Sequence, residues 1–297
     1  MRGKQKRKDV ELFALHFSDS IIALHKNLKE KTYTHGGYVA FKLNDPKPRD
    51  IHKASVGDRL LHHALYRNLY AYFDSKFIYD SYSCRIGKGT HRAIDRFRYF
   101  ARKVSKNNTR TCWVLKCDIR KFFANIDHGI LKTILAKHIY DKDTLWLLDQ
   151  IIDSFPVGLP LGNLTSQLLV NIYMHEFDQF MKRDLKAKYC IRYADDFVFL
   201  SDDKKYLELL LPKLEVFLAE KLKLTMHPNK VFIKTHASGV DFLGWVHFPT
   251  HRTLRTSTKW RMVARLEESL SEPTRISYKG LLGHGSTYKI KKKAGLL

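Results

Sequence analysis

Acidic residues are in short supply in this chain of 297 residues: 30 Asp and Glu stand against 53 Lys and Arg, a formal net charge of +23. That imbalance argues against an ordinary metabolic enzyme and implies a polyanionic partner, either nucleic acid or an anionic membrane. Cysteine is scarce too. Cys84, Cys112, Cys117 and Cys190 show no CxxC spacing, so free buried thiols are expected, without a disulfide framework or zinc. A usable membrane span is missing as well. The longest stretch free of Asp, Glu, Lys and Arg, 154–175, could cross a bilayer by length, but it holds Pro156, Gly158, Pro160, Gly162, Asn163, Gln167 and Asn171. So many breakers and amides exclude a lipid-facing helix. The basic start MRGKQKRK leads into Asp9, Glu11, His16 and Asp19 rather than an apolar run. No signal peptide and no membrane partner are therefore expected, and the expected location is the cytosol.

What the chain does have is material for a core: 44% of residues are hydrophobic and 12% aromatic, which argues against disorder. There is no internal repeat and no low-complexity segment. Charge is uneven, with twelve Lys and Arg against two Asp over 85–121, and eleven against three Glu over 247–297. Two separated basic stretches fit a groove or two faces holding one polymer. Helical spacing predicts helices over 58–74, 128–139 and 203–222, and a long one over 163–182 capped by Asn163. Apolar runs predict buried strands over 113–119 and 197–200 and a third over 240–246. This mixture predicts an α+β fold with a small sheet. The residues beyond 250 read as a short, basic, partly helical module with a loop around Gly280, Gly283 and Gly285.

The most informative residues are acids at the ends of apolar strands, where burial of a carboxylate costs free energy unless a partner compensates it. Asp118 follows WVLKC, and Asp195 and Asp196 lie between CIRY and FVFL, two runs that a tight turn would fold into a hairpin. If the hairpin lies beside the Asp118 strand, three carboxylates converge. Ligation by oxygen alone suits Mg²⁺ rather than zinc. Two such ions would activate an attacking hydroxyl and stabilise a departing pyrophosphate in nucleotidyl transfer.

Tyr193-Ala194-Asp195-Asp196 resembles the YxDD box of reverse transcriptases, and it has company. Lys116-Cys117-Asp118-Ile119-Arg120-Lys121-Phe122-Phe123, followed by Asn125-Ile126-Asp127-His128, resembles the first palm motif of the bacterial, group II intron-like enzymes. The segment from Gly158 through Gln167 resembles the second. Asp58-Arg59-Leu60, Ser81 to Arg85 and Gly87 to His91 are similar to fingers motifs; Pro228-Asn229-Lys230 and Phe242-Leu243-Gly244-Trp245 fall where the fourth palm motif and the primer grip belong. The ordered match covers about 45–248. It implies a right-hand polymerase architecture: an N-terminal helical, basic segment (1–44), fingers and palm with a small antiparallel sheet (45–248) and a short basic thumb (249–297).

The resemblance also assigns roles. Asp118, Asp195 and Asp196 would be catalytic and, with Ile119, hold two Mg²⁺ ions, Asp196 as the weaker or outer ligand. Arg49, Lys53 and Arg59 would hold the triphosphate. Phe123 would face the sugar and exclude a 2′-hydroxyl. Gly158 and Gly162 would let the backbone approach the template-primer pair, and Lys230 would protonate the pyrophosphate. Leu161, Gly162 and Gln167 complete the nucleotide site, and Phe242 to Trp245 would brace the primer.

One departure points to a subclass. Most enzymes of this lineage carry Gln where this chain has Leu161, and end the motif in Ser-Pro rather than Ser166-Gln167. An aliphatic residue with a Ser-Gln ending is similar to the reverse transcriptases of diversity-generating retroelements, where this position is tied to misincorporation opposite template adenine. The tail from Ser277 to Gly285 resembles the end of those compact enzymes. That family implies a template RNA, an RNA/cDNA hybrid, deoxynucleotides and a small, basic, pentameric accessory protein. The alternatives are a group II-like or phage-defence reverse transcriptase making a different DNA, or a catalytically idle RNA binder on a polymerase fold.

Overall fold

The computed structural model describes residues 6–44, 48–268 and 271–296. Its elements run α1 (Lys8–Leu15), α2 (Phe17–Lys29), β1 (Val39–Asn44), β2 (Pro48–Lys53), α3 (Val56–Lys76), α4 (Thr90–Val104), β3 (Trp113–Asp118), α5 (His128–Ala136), α6 (Lys142–Asp153) and α7 (Leu164–Gln179). They continue through β4 (Cys190–Tyr193), β5 (Asp196–Ser201), α8 (Lys204–Leu222), β6 (Phe232–Thr235), β7 (Val240–Phe242), β8 (Trp245–His247), β9 (Arg252–Leu254), α9 (Thr256–Glu268), α10 (Glu272–Leu282) and α11 (Tyr288–Lys293). Two compact units divide the chain. One comprises Met1–Ile78, Ile119–Phe180 and Val216–Thr225; the other comprises Tyr79–Asp118, Met181–Glu215 and Met226–Leu297.

The first unit is built on helices α3, α5, α6 and α7, with the β1–β2 antiparallel hairpin. Helix α7 buries Leu168, Leu169, Ile172, Tyr173 and Phe177 on nearly every side, as a helix in the middle of a core must. The Tyr173 hydroxyl donates to the Leu222 carbonyl at 2.7 Å, which keeps its buried oxygen satisfied. Helix α3 starts at Ser55, whose Oγ accepts from the Asp58 amide. Asp58 also takes the Tyr33 hydroxyl at 2.7 Å and the Gly36 amide.

The second unit carries the four-stranded antiparallel sheet β4-β5-β3-β6 and the three-stranded sheet β7-β8-β9. Their shared core is lined by the apolar stripe of α4, in which Ala93, Ile94, Phe97, Phe100, Ala101 and Val104 recur at helical spacing. Val114, Ile191, Val198 and Leu200 meet that stripe from one sheet, and Val240, Phe242, Trp245 and Leu254 from the other. Each buried Val, Leu, Ile or Phe among them contributes about 1.5–3 kcal/mol.

Three expectations are corrected. The segment 240–246 is two strands, because Leu243 and Gly244, both left-handed at φ 51° and 86°, turn the chain between Phe242 and Trp245. Asn163 precedes α7 without capping it; its amide donates to the His52 carbonyl at 3.2 Å instead. Cys84 is exposed, whereas Cys112, Cys117 and Cys190 are buried as expected. Among the described residues no helix is long and apolar enough to cross a membrane.

Candidate active site

The register of the larger sheet sets Asp118, the last residue of β3, directly opposite Asp196, the first of β5. Opposed residues of an antiparallel pair point to the same face, so the two carboxylates are neighbours. Tyr193 pairs with Asp196 from β4, leaving Ala194 and Asp195 as a two-residue loop. Ala194 sits at φ 54°, a conformation that costs a non-glycine residue roughly 1–2 kcal/mol. Arg192, fully buried just before the loop, compensates: its guanidinium donates to the Ala194 carbonyl at 3.2 Å and to Ser81 Oγ at 3.1 Å. A charged donor fixed below the turn holds Asp195 and Asp196 at its tip.

Two lysines face these acids. Lys230 Nζ lies 2.7 Å from Asp118 Oδ1. Its backbone is tied to the same strand, because the His227 amide donates to the Asp118 carbonyl at 2.7 Å and the Lys230 amide to the His227 carbonyl. Lys116, only 6% exposed, places Nζ 3.2 Å from Asp196 Oδ1. Burial pushes the Asp196 carboxyl up to about 7; Lys116 opposes the shift, and the negative charges of Asp118 and Asp195 add to it. Lys116 is absent from the site inferred from sequence. The available signal was its position two residues before Asp118, on the same strand face.

Among the described residues no group of three or more His, Cys, Asp or Glu side chains is gathered to hold a metal ion. The donor set nevertheless fits divalent ions. It is all oxygen, mutually repulsive and drawn to the cations at hand, each of two carboxylates already holding an ammonium. Ile119, with a buried side chain, could add only its backbone carbonyl.

The triphosphate, sugar and template candidates lie in the first unit. Lys53 Nζ and Arg59 Nη2 share one carboxylate oxygen, Asp9 Oδ2, at 3.1 and 2.9 Å. Arg49 is exposed on β2. Phe123, half-buried, sits in a 3₁₀ turn (Phe122–Asn125) whose backbone is buttressed by Gly158. A Cβ on Gly158, at φ 67°, would stand 2.3 Å from the Phe123 carbonyl oxygen, which accepts from the Leu159 amide at 2.8 Å. A Cβ on Gly162, which is exposed at φ 109°, would meet Ile51 Cγ2 at 2.7 Å, next to the hydrogen bond from the His52 amide to the Leu161 carbonyl. Both glycines therefore admit the chain's own atoms at close approach. Leu161 and Gln167 are half-buried around this loop. In the second unit, Phe242 and Trp245 are core residues, and the Leu243–Gly244 turn between them is half-buried.

Comparison with known proteins follows the same outline. A family model described as "Reverse transcriptase (RNA-dependent DNA polymerase)" matches residues 42–247. Protein YkfC of Escherichia coli is 25% identical over 82% of this chain and 74% of its own length. The group II intron-encoded protein LtrA of Lactococcus lactis is 26% identical over 58% of this chain. An uncharacterized 91 kDa protein in the cob intron of Schizosaccharomyces pombe is also 26% identical over 58%. The matched region spans 29% and 21% of those two intron proteins. Among solved structures, apo telomerase from Candida tropicalis superposes with a TM-score of 0.56 at 14% identity, over 73% of this chain and 48% of that one. The same telomerase with a TWJ fragment of telomeric RNA gives 0.59 at 13% identity, over 92% and 57%. This likeness assigns a right-hand polymerase fold, with the sheet β4-β5-β3-β6 as its palm sheet.

Proposed function

The chain belongs to the reverse transcriptase (RNA-dependent DNA polymerase) family, and on that premise we propose that it copies a template RNA into adenine-mutagenised cDNA for a diversity-generating retroelement. The observation that carries the polymerase reading is the pairing of Asp118 with Asp196 beside the Ala194–Asp195 turn. Two Mg²⁺ ions held by Asp118, Asp195 and Asp196, with Ile119 through its carbonyl, would supply stabilisation of the attacking 3′-hydroxyl and the departing pyrophosphate. Lys230, in contact with Asp118, lends a proton to that pyrophosphate. Lys53 and Arg59, together with Arg49 on β2, hold the triphosphate once Asp9 yields them. Phe123, fixed on its buttressed turn, presents a ring to the sugar and disfavours a 2′-hydroxyl.

The retroelement subclass rests on Leu161, Ser166 and Gln167, and on the tail from Ser277 to Gly285. A branched aliphatic side chain at Leu161 offers no hydrogen bond to a forming base pair, which relaxes checking there. In this reading the partners are the template RNA, the RNA/cDNA hybrid, deoxynucleotides and a pentameric accessory protein. In this reading the chain divides into an N-terminal segment (1–44), fingers and palm (45–248) and a thumb (249–297). The likeness to LtrA favours a second reading, a group II-like or defence enzyme making a different cDNA. Sequencing products of primer extension on RNA separates them. Errors concentrated opposite template adenine, reduced by Leu161→Gln, support the retroelement enzyme; faithful copying with an unchanged Leu161→Gln spectrum supports the second reading.

A further inference from the structure

Strand β5 begins at Asp196 and ends at Ser201, so its far end lies about 17 Å from the carboxylates at roughly 3.3 Å per residue. An open cavity of about 620 Å³ is found at that end, entirely within the second unit. Lys103 and Lys106 reach it from the end of α4, and Lys186 and Lys188 from the loop before β4. All four lysines are exposed, and among the described residues none has a carboxylate partner. Two aspartates, Asp202 and Asp203, also line the cavity. Asp203 is occupied, accepting the Lys205 amide at 2.8 Å at the start of α8. The balance of four cations against two anions leaves the cavity positive.

The backbone holds these lysines out at a cost. Lys106 and Lys186 both sit at φ 48°, and Asn107 and Asn108 follow at 58° and 68°. Left-handed lysines are unfavourable, so each loop needs pins. Ser105 Oγ accepts the Asn108 amide at 2.9 Å; the Ala187 amide donates to the Met181 carbonyl at 2.9 Å, and Lys182 Nζ to the Ala187 carbonyl at 3.1 Å. Tyr189 and Tyr206 add aromatic surface to the lining.

From these residues we infer that the cavity is a second nucleic-acid site, remote from the carboxylates, that takes one or two nucleotides of single-stranded RNA. Lysines hold the phosphates, a tyrosine ring stacks on the base, and Asp202 accepts from a ribose hydroxyl or a base amino group. A purely basic patch would suit any polyanion. The combination of cations, rings and an acceptor in a cavity within the usual range for small ligands, about 300–1,000 Å³, selects an unpaired nucleotide. The choice of RNA rests on the reverse-transcriptase reading. The site would anchor template RNA away from the carboxylates while its end is being copied.

The test uses the full chain carrying Asp195→Asn, saturated with an RNA/DNA duplex, and a fluorescent RNA decamer of uridine read by anisotropy. The decamer is expected to bind. Lys186→Ala with Lys188→Ala should weaken it about tenfold or more and lower the salt slope by about 1.4, at roughly 0.7 for each phosphate no longer engaged. Tyr206→Ala should weaken it at least about fivefold without changing that slope. In protein that retains Asp195, primer extension should be unaffected by all three substitutions. No binding beyond the duplex, equal binding by the variants, or displacement of the decamer by polyglutamate at lower concentration than by oligouridine would overturn the inference, the last in favour of an acidic protein partner. A failure of the polymerase reading appears instead in the extension assay, and decamer binding without duplex keeps the two outcomes separate.

Discussion

Lys230 Nζ and Asp118 Oδ1 are 2.7 Å apart, and the chain that carries the lysine is hydrogen-bonded through His227 to the backbone of Asp118 itself. The ammonium is therefore positioned by the very strand whose carboxylate it touches. The lysine side chain is 40% exposed, so the pair adds little to stability. In the proposed reading its value is as a proton donor to the departing pyrophosphate.

Lys230→Ala should accordingly lower the single-turnover rate of nucleotide addition by about a hundredfold, within the usual range for removal of a general acid, and leave the melting temperature nearly unchanged. Rapid-quench kinetics checks this. An unaltered rate would reduce Lys230 to a surface ion pair.

Phe123 depends on Gly158 for its position. Phe123→Ala should raise ribonucleotide use relative to deoxynucleotide, measured as the ratio of kcat/KM values. Gly158→Ala, which drives a Cβ into the Phe123 carbonyl at a positive φ, should destabilise the protein by more than about 1 kcal/mol in urea unfolding. Unchanged sugar discrimination in Phe123→Ala would return that ring to plain packing.

Asp9 holds both Lys53 and Arg59, and Lys53 above all keeps its carboxyl below the usual carboxylate range. A carboxylate between two cations occupies them as a phosphate would. Asp9→Asn should lower KM for deoxynucleotides by up to about fivefold, equivalent to the ~1 kcal/mol of exposed ion contacts, with kcat unchanged. A constant KM would place the triphosphate elsewhere.

Burial pushes His62, His236 and His247 each down to about 4 from an ordinary value near 6.5; in His247 the backbone contact with Phe242 opposes the shift. A depressed histidine is neutral in the folded protein, so its contribution is complete above pH 6.5 and is lost as pH falls toward 4. The free energy of unfolding, from denaturant titrations, should drop across that window by about 1.4 kcal/mol per pH unit for each proton taken up on unfolding, and His247→Gln should make the decline shallower. A flat profile from pH 6.5 to 4 would contradict the burial of these rings.

The carboxylates were legible in the sequence because a strand has a period of two, and an acid closing an apolar run stands out against it. Lys116 does not stand out, since a lysine is ordinarily read as solvent-facing, and it is the ion pair with Asp196 that accounts for its burial. The hairpin β1–β2 escaped notice for the opposite reason: β1 is exposed along its whole length and leaves no alternation to read. Helix α4 was hidden by the arginines that interrupt its apolar stripe. Gly158 and Gly162 were noticed, but their use depends on which chain segment comes back to meet them, and local sequence does not carry that.

The central claim is tested most directly by primer extension on an RNA template with Mg²⁺ and deoxynucleotides, comparing the protein with its Asp195→Asn variant while RNA affinity is followed in parallel. The account predicts DNA synthesis by the parent, synthesis below a few per cent in the variant, and nearly equal RNA binding by both. Substantial synthesis by Asp195→Asn, or none by the parent with or without an accessory protein, would contradict it.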